Sequence, residues 1–295
     1  MDNWVVILGS GTSISHLPYD LKRWLNNQQV RIALNKFGYF YEVANIEPNE
    51  LFFLDFHDEN ARHFLKLALR KTNDCVHTYY LNCNFKKYFS TNILKFCLKF
   101  IPFIIYKIKY YFYTFIKKSL KLLSKDFHDA KVKYFYISEV YKPILLKKNK
   151  KYIFLKPHSS GSVDNDWARS LDERLYHHRG SISTLLNLIS IKYSNHKILM
   201  LGVDLVKGGY FFQKQLDDHY SKYNRGRDWT YDKMLKQNKH FTAIKYQGTT
   251  IFEAFEFMLG NLKNSNNDVF AFPHCNAEIF AKDVEPFDLS LINDK

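Results

Sequence analysis

The chain has 295 residues, and 46% of them are hydrophobic. It is long enough for one large domain, or for a core domain with a smaller appendage, and too apolar for wholesale disorder. The net charge is +14, but residues 86–125 hold ten Lys and no Asp or Glu, which leaves +4 for the remaining residues. The basicity therefore belongs to one segment, and this argues against a general nucleic-acid-binding fold.

The cysteine pattern indicates the redox compartment. Cys75, Cys83, Cys97 and Cys275 form no C-x-x-C pair and have no zinc-site spacing. Four free thiols in a chain of this length are typical of a reducing environment. No signal-peptide pattern precedes the first apolar run. We therefore expect a cytoplasmic protein.

The first predicted element is a buried strand over residues 4–8, which ends in the turn Gly9-Ser10-Gly11-Thr12-Ser13. A strand followed by a Gly-rich turn and a helix is typical of the opening of a nucleotide-binding α/β fold. The alternative is a plain tight turn, because neither Walker A nor a complete GxGxxG pattern is present.

Two further apolar runs predict strands that end at Asn35 and Asp55. Ligands bind beyond the carboxyl ends of parallel strands, so both residues are candidate site positions. Apolar spacing then predicts helices over 57–71, 181–193 and 249–262, and strands over 76–81, 197–204 and 269–273.

This alternation predicts an α/β fold with a Rossmann-like, mostly parallel sheet flanked by helices. We assign residues 1–74 and 175–284 to a single Rossmann-like domain with a small lid. Residues 75–174 are predicted to be an insertion that carries a basic helical segment at about 94–123.

That basic segment, residues 94–123, mixes lysines with Phe, Tyr and Ile. Its longest stretch without lysine is far shorter than the roughly 20 apolar residues of a membrane span. Lysines facing anionic headgroups and aromatic residues at the acyl boundary predict peripheral association with the inner face of the cytoplasmic membrane. The alternative is a helical hairpin packed on the core. Arg is absent from the segment, which argues against nucleic acid as a partner.

Several short segments resemble, in the same order, those of bacterial sialyltransferases of glycosyltransferase family 42. They are Val5–Ser13, Asn35, Asp55, Arg179–Ser183, Leu201–Asp204 with Tyr210, and Phe272–Asn276. In that family the first loop contacts the nucleotide of CMP-sialic acid, and a T-S-G loop leads into a helix under it. The resemblance covers about residues 4–60 and 175–280. Ser10 stands where the family has Asn, and Val206 where it has a second tyrosine.

The resemblance implies that residues 1–74 and 175–284 form a GT-A-like nucleotide-sugar-binding domain. It also implies that the protein is an inverting, metal-independent glycosyltransferase. It would transfer an acidic sugar, either sialic acid or a related ulosonic acid such as Kdo, from its CMP donor to an envelope glycan such as the lipopolysaccharide core. The implied partners are the CMP-sugar, a lipid-linked or lipopolysaccharide acceptor and an anionic membrane surface. No metal or cofactor is expected, because CMP leaves with one phosphate and the core has no Asp-x-Asp motif. Enzymes of the family often form homo-oligomers, and the sequence leaves this point open.

The resemblance also implies a set of site residues. Those implied to bind the nucleotide sugar are Gly9, Ser10, Gly11, Thr12, Asn35, Asp55, Gly180, Ser181, Ser183, Gly202 and Asp204. The implied catalytic residues are His240 as general base and Tyr210 at the leaving phosphate. The need for charge at that phosphate adds Arg179 as a third candidate. His219 is the alternative base, and we prefer His240 because it lies just before the late helix.

Other interpretations remain open. Asp204 is as well suited to bracing a loop as to binding a ligand. His177 and His178 suit either an acidic acceptor or a basic surface loop. The alternative function is a non-enzymatic peripheral membrane protein with a degenerate nucleotide-binding fold. A dehydrogenase is disfavoured, because Asn35 and not an acidic residue ends the second strand.

Overall fold

The computed structural model describes most of the chain. The described residues are 3–56, 59–90, 101, 104–105, 107–109, 111–112, 144–159, 163, 167–205, 209–222, 240–243, 245, 249–272 and 284–290. Residues Cys97, Val206 and Cys275, the last four residues of the Phe272–Asn276 match and most of the basic segment lie outside them.

Strands and helices alternate along the chain, as the apolar pattern predicts. The strands are β1 (Trp4–Leu8), β2 (Val30–Leu34), β3 (Glu50–Phe53), β4 (Thr78–Asn82), β5 (Phe89–Ser90), β6 (Ile144–Leu145), β7 (Lys151–Leu155), β8 (Pro157–Ser159), β9 (Leu175–His177), β10 (Lys197–Leu201), β11 (Val269–Ala271) and β12 (Val284–Pro286). The helices are α1 (Tyr19–Asn26), α2 (Phe37–Ala44), α3 (Glu59–Lys71), α4 (Ser181–Lys192), α5 (Gln213–Lys222) and α6 (Ile251–Asn264). Short 3₁₀ helices cover Thr12–His16, Cys83–Tyr88 and Phe241–Ala243.

Eight strands form one sheet in the order β12-β11-β10-β1-β2-β3-β4-β7. Every neighbouring pair in it is parallel. The chain runs outward from β1 in one direction through β4, and β10 then returns to the other side of β1. This reversal is the switch point at which α/β folds bind ligands. The predicted Rossmann-like α/β fold, with a parallel sheet flanked by helices, is confirmed.

The inner strands of the sheet are buried on both faces, β1 and β3 at every residue, which explains their nearly continuous apolar sequences. Successive side chains alternate between two cores, so that Val6 and Leu8 of β1 face one of them and Val5 and Ile7 face the other. Helices α1, α2, α3 and α5 contribute to the first core, and α4 and α6 to the second. The sheet is thus the middle layer of three.

The predicted domain boundaries need a correction. Both β4 and β7 fall within residues 75–174, yet they are paired to each other in the main sheet, with Thr78 opposite Lys151. The sheet therefore takes strands from the predicted insertion on both sides of the basic segment. The prediction failed here because β7 pairs with a strand about 70 residues earlier, and no local pattern records such a partner.

A buried polar cluster joins α4 to the sheet at the amino ends of the strands. Glu50 is only 3% exposed, and its carboxylate lies 2.8 Å from the Lys192 ammonium. The hydroxyls of Tyr80 and Tyr193 donate to Glu50 Oε2 at 3.0 and 2.7 Å. Burial, and then the Glu50 charge, raise the pKa of both tyrosines, so they remain neutral donors. The buried Glu50 carboxylate is therefore balanced by one ammonium and two hydroxyl donors inside the fold.

Within the described residues, no helix combines the length and the apolar composition needed to cross a membrane.

Candidate functional site

The carboxyl ends of the central strands place the predicted site residues at one edge of the sheet. β1 ends before Gly9, β2 before Asn35, β3 two residues before Asp55, and β10 before Gly202. Because these strands are parallel neighbours, their following loops lie side by side. This arrangement comes from strand pairing alone and needs no special side-chain contacts.

The Gly-rich turn is packed against the loop after β10. Gly9 N donates to Leu201 O, and Gly11 N donates to Gly202 O, both at 2.7 Å. A Cβ atom on Gly202 would lie 2.6 Å from Gly9 O, and the φ of Gly202 is +65°. The two backbones approach so closely that a side chain at either glycine would separate the loops.

Asp204 holds this junction together. Its Oδ2 accepts from Ser13 N at 2.7 Å, and its Oδ1 accepts from Ser13 Oγ at 2.6 Å. Thr12 Oγ1 donates to Oδ2 at 3.4 Å, and the carboxylate packs where a Cβ on Gly11 would lie. Asp204 is only 6% exposed. The contacts therefore favour the loop-bracing role of Asp204 over a direct ligand role.

Asn35, Asp55 and Ser181 form the central polar group of the site. Asn35 Nδ2 donates to Asp55 Oδ1 at 2.9 Å and to Ser181 Oγ at 3.1 Å, and Ser181 Oγ donates to Asp55 Oδ1 at 3.4 Å. Asn35 Oδ1 accepts from Leu54 N at 2.9 Å, and the φ of Asn35 is +51°. Asn tolerates this left-handed backbone conformation well, and it turns the side-chain amide toward the carboxyl end of β3 and the first residue of α4.

The loop before α4 is shaped by internal hydrogen bonds. Ser183 Oγ accepts from His178 N at 2.9 Å and donates to Gly180 O at 2.7 Å, and Ser183 is fully buried. Ser183 therefore shapes the loop from inside. Arg179 has a φ of +59°, so the backbone turns sharply immediately before Gly180. His177 Nδ1 lies 2.8 Å from Thr184 Oγ1, which ties it to α4.

The structure places His240 beside this loop. Its Nδ1 lies 2.8 Å from Thr242 Oγ1, and that contact orients the ring. A Cβ on Gly180 would lie 2.7 Å from Thr242 Cγ2, so the turn that carries His240 packs directly on the loop before Ser181. Burial lowers the pKa of His240 to about 4, which keeps the imidazole neutral at pH 7.

His219 lies in a different environment from His240. Its Nε2 is 2.9 Å from Nε2 of His63, and its ring lies 5.0 Å from that of Phe64, so it joins α5 to α3. Burial, with a smaller effect from Lys222, lowers its pKa to about 4. One ring nitrogen is thus engaged with another histidine, which makes His219 the less suitable base.

Tyr210 lies between β10 and α5 in sequence. It is close to the Gly-rich turn, because the backbone of the next residue, Phe211, donates from N to Ser10 O at 3.2 Å. The Tyr210 ring stacks on Phe212 with centroids 5.1 Å apart. Lys36, which the sequence prediction missed, places its ammonium 6.0 Å from the centroid of the Tyr210 ring. Its position directly after Asn35 was the available sequence signal.

A cavity of about 380 Å³ lies away from these residues, at the amino ends of β2 and β3, and is lined by Asn26, Arg31, Tyr41, Glu42, Asn45, Ile46 and Glu47. The Arg31 guanidinium in this cavity donates from Nε to Glu47 O at 2.6 Å and also donates to Gln28 O. The cation there is held by backbone carbonyls, and this cavity contributes nothing to the polar edge described above.

Comparison with known proteins gave no match: no family model, no curated protein and no solved structure matches this chain.

Proposed function

We propose that this chain is an inverting, metal-independent glycosyltransferase. It transfers an acidic sugar, sialic acid or a related ulosonic acid such as Kdo, from its CMP donor to an envelope glycan such as the lipopolysaccharide core. The supporting observation is the contact of Asn35, Asp55 and Ser181 at the carboxyl edge of a parallel sheet, next to the turn that carries His240. Such an edge is where α/β folds bind nucleotides.

The chemistry assigns a role to each residue. The bond between the anomeric carbon and the phosphate oxygen breaks, CMP leaves with the electron pair, and the acceptor oxygen forms the new bond. His240 takes the acceptor's proton. Tyr210 and Arg179 stabilise the charge on the leaving phosphate. One displacement inverts the anomeric centre and needs no carboxylate nucleophile.

The low pKa of His240 fits this role once the donor is considered. A pKa of about 4 keeps the free ring neutral and able to accept a proton, but makes it a weak base. An anionic donor beside the ring favours the protonated form and raises the pKa toward neutrality. Base strength would therefore increase when the donor is bound.

A thermal-shift screen of CMP, UDP, GDP and NAD tests the nucleotide class, and only CMP is expected to stabilise the protein. Turnover of CMP-sialic acid and CMP-Kdo, measured by CMP release, should be unaffected by EDTA. His240→Asn should lower turnover by about a hundredfold or more with CMP binding retained. The exposed His16 provides the control variant, His16→Asn. Full activity in His240→Asn would refute the base assignment, and no binding at millimolar CMP would favour the non-enzymatic alternative.

We also propose that residues 94–123 hold the protein at an anionic membrane surface. Those described between 101 and 112 are helical and exposed. The apolar ones are Ile101, Ile104, Ile105, Ile108, Tyr111 and Phe112, which are 48% to 67% exposed. In sequence they recur at a spacing of three and four, which is the pattern of the apolar face of an interfacial helix.

Flotation with phosphatidylserine-containing vesicles tests the membrane proposal. The wild-type protein should float, less so at high salt, and the double variant Ile104→Ser/Ile108→Ser should float several-fold less. Val43→Ser is the matched control, because Val43 is 40% exposed on α2. Equal flotation of the double variant and the control would remove this proposal, as would unchanged flotation after deletion of residues 94–123.

A further inference from the structure

The candidate site has one end suited to hydrogen-bond donors and one suited to an anion. Asp55 marks the first end, because its carboxylate repels a phosphate and accepts from hydroxyl or amino groups. Lys36 marks the second end. The two ends are adjacent in the chain. Asn35 Nδ2 donates to Asp55 Oδ1 at 2.9 Å, and Lys36 is the next residue after Asn35.

Packing fixes where the Lys36 charge lies. Its ammonium is 5.3 Å from the centroid of the Phe64 ring and 6.0 Å from that of the Tyr210 ring. Both distances are within the range of cation–π attraction. The side chain is only partly exposed, so a ligand would meet its charge with less screening than at an open surface.

The adjacent helix strengthens the positive potential. Lys36 is the N-cap of α2, and the first turn of that helix contains no acidic residue. A helix N-terminus carries a partial positive charge, so a lysine there opposes the usual preference for an anion or a small polar cap. A local propensity broken at the edge of a candidate site points to a functional reason for the residue.

We infer that Lys36, framed by Phe64 and Tyr210, binds the phosphate of the CMP donor, and that Asp55 and its partners face the nucleoside. This inference rests on the proposed function and adds the residue that distinguishes the nucleotide from its nucleoside. It also orients the donor, with the phosphate toward Tyr210 and the ribose or base toward Asp55.

The test compares dissociation constants for CMP and cytidine by calorimetry. Wild-type protein is expected to bind CMP at least about tenfold more tightly, and Lys36→Met should reduce this preference to about threefold or less with cytidine affinity unchanged. Lys36→Arg should retain the preference. The control is Lys148→Met. This exposed lysine lies in the turn before β7, at the amino ends of the strands and therefore away from the candidate site.

The outcomes separate this inference from the proposed function. If Lys36→Met keeps the wild-type preference, Lys36 does not bind the phosphate, although CMP binding stands. If the wild-type protein binds neither ligand, the proposed function and this inference both fail. If Lys36→Met melts below the assay temperature, Lys36→Gln takes its place, because its stem still packs between the two rings. Retention of the preference in that variant would count equally against Lys36.

Discussion

The methyl group of Thr242 lies against Gly180, 2.7 Å from where a Cβ atom would stand, while the hydroxyl of Thr242 meets Nδ1 of His240 at 2.8 Å. One side chain thus connects the candidate base to the loop that begins α4. The φ of Gly180 is 175°, an extended value that any residue adopts, so the glycine is required by space and not by backbone conformation.

Gly180→Ala should therefore displace the turn that carries His240. We expect turnover of the CMP-sugar to fall by about tenfold or more, and the free energy of unfolding to fall by about 1–2 kcal/mol through overpacking. Gly260→Ala is the matched control, because a Cβ there meets nothing within 4 Å. That change, inside α6, should raise stability slightly. Wild-type turnover in Gly180→Ala would show that the contact does not position His240.

Thr242→Val and Thr242→Ser separate the two functions of this residue. Valine keeps the methyl contact with Gly180 and removes the hydroxyl that orients His240, so kcat should fall several-fold with KM nearly unchanged. Serine keeps the hydroxyl and removes the methyl, so its main effect should be on stability. Steady-state kinetics and thermal unfolding of both variants check the prediction, and equal kcat values for the two would contradict it.

Asp204→Ala should destabilise the ligand-free protein. The change removes the acceptor for both Ser13 N and Ser13 Oγ in a buried setting, and we expect a loss of about 2–3 kcal/mol. Urea unfolding should show a lower midpoint with an unchanged slope. The control is Asp218→Ala, at an exposed position of α5. An unchanged midpoint for Asp204→Ala would contradict the loop-bracing role and favour direct ligand binding by Asp204.

Stability should also depend on pH through two histidines. His219 and His240 have a pKa of about 4 in the folded chain, and near 6.5 when unfolded. Between these values the unfolded chain binds more protons, so the free energy of unfolding falls as the pH drops from about 6.5 to 4. Thermal unfolding across this range should show a shallower fall of Tm for His219→Gln than for wild type. His16→Gln, at an exposed position, should follow the wild-type curve.

The sequence was sufficient to predict the architecture because parallel strands buried on both faces leave strong local signals. The apolar runs at β1, β2, β3 and β10 and the helix at α3 lie close to their predicted positions. The weaker signals belong to α2, whose eight residues follow the end of β2 almost immediately and are half aromatic. Its first turn, and with it Lys36, was therefore overlooked.

The contacts within the site were beyond local inference. Asn35 meets Ser181 across 146 positions of sequence, and Asp204 meets Ser13 across 191. The strand ends indicate which edge these residues share, but not which side chain faces a ligand and which faces its own chain. For Asp204 the sequence left both options open, and only the packed loops distinguish them.

The position of β1 at the centre of the sheet has a consequence for synthesis of the chain. Trp4 pairs with Lys197 and Leu8 with Leu201, while the other side of β1 pairs with β2. Because β10 follows β1 by nearly two hundred residues, β1 keeps one hydrogen-bonding edge open during synthesis until β10 has been made. Nascent chains arrested before β10 would expose that apolar edge, which makes them candidates for aggregation and for capture by chaperones.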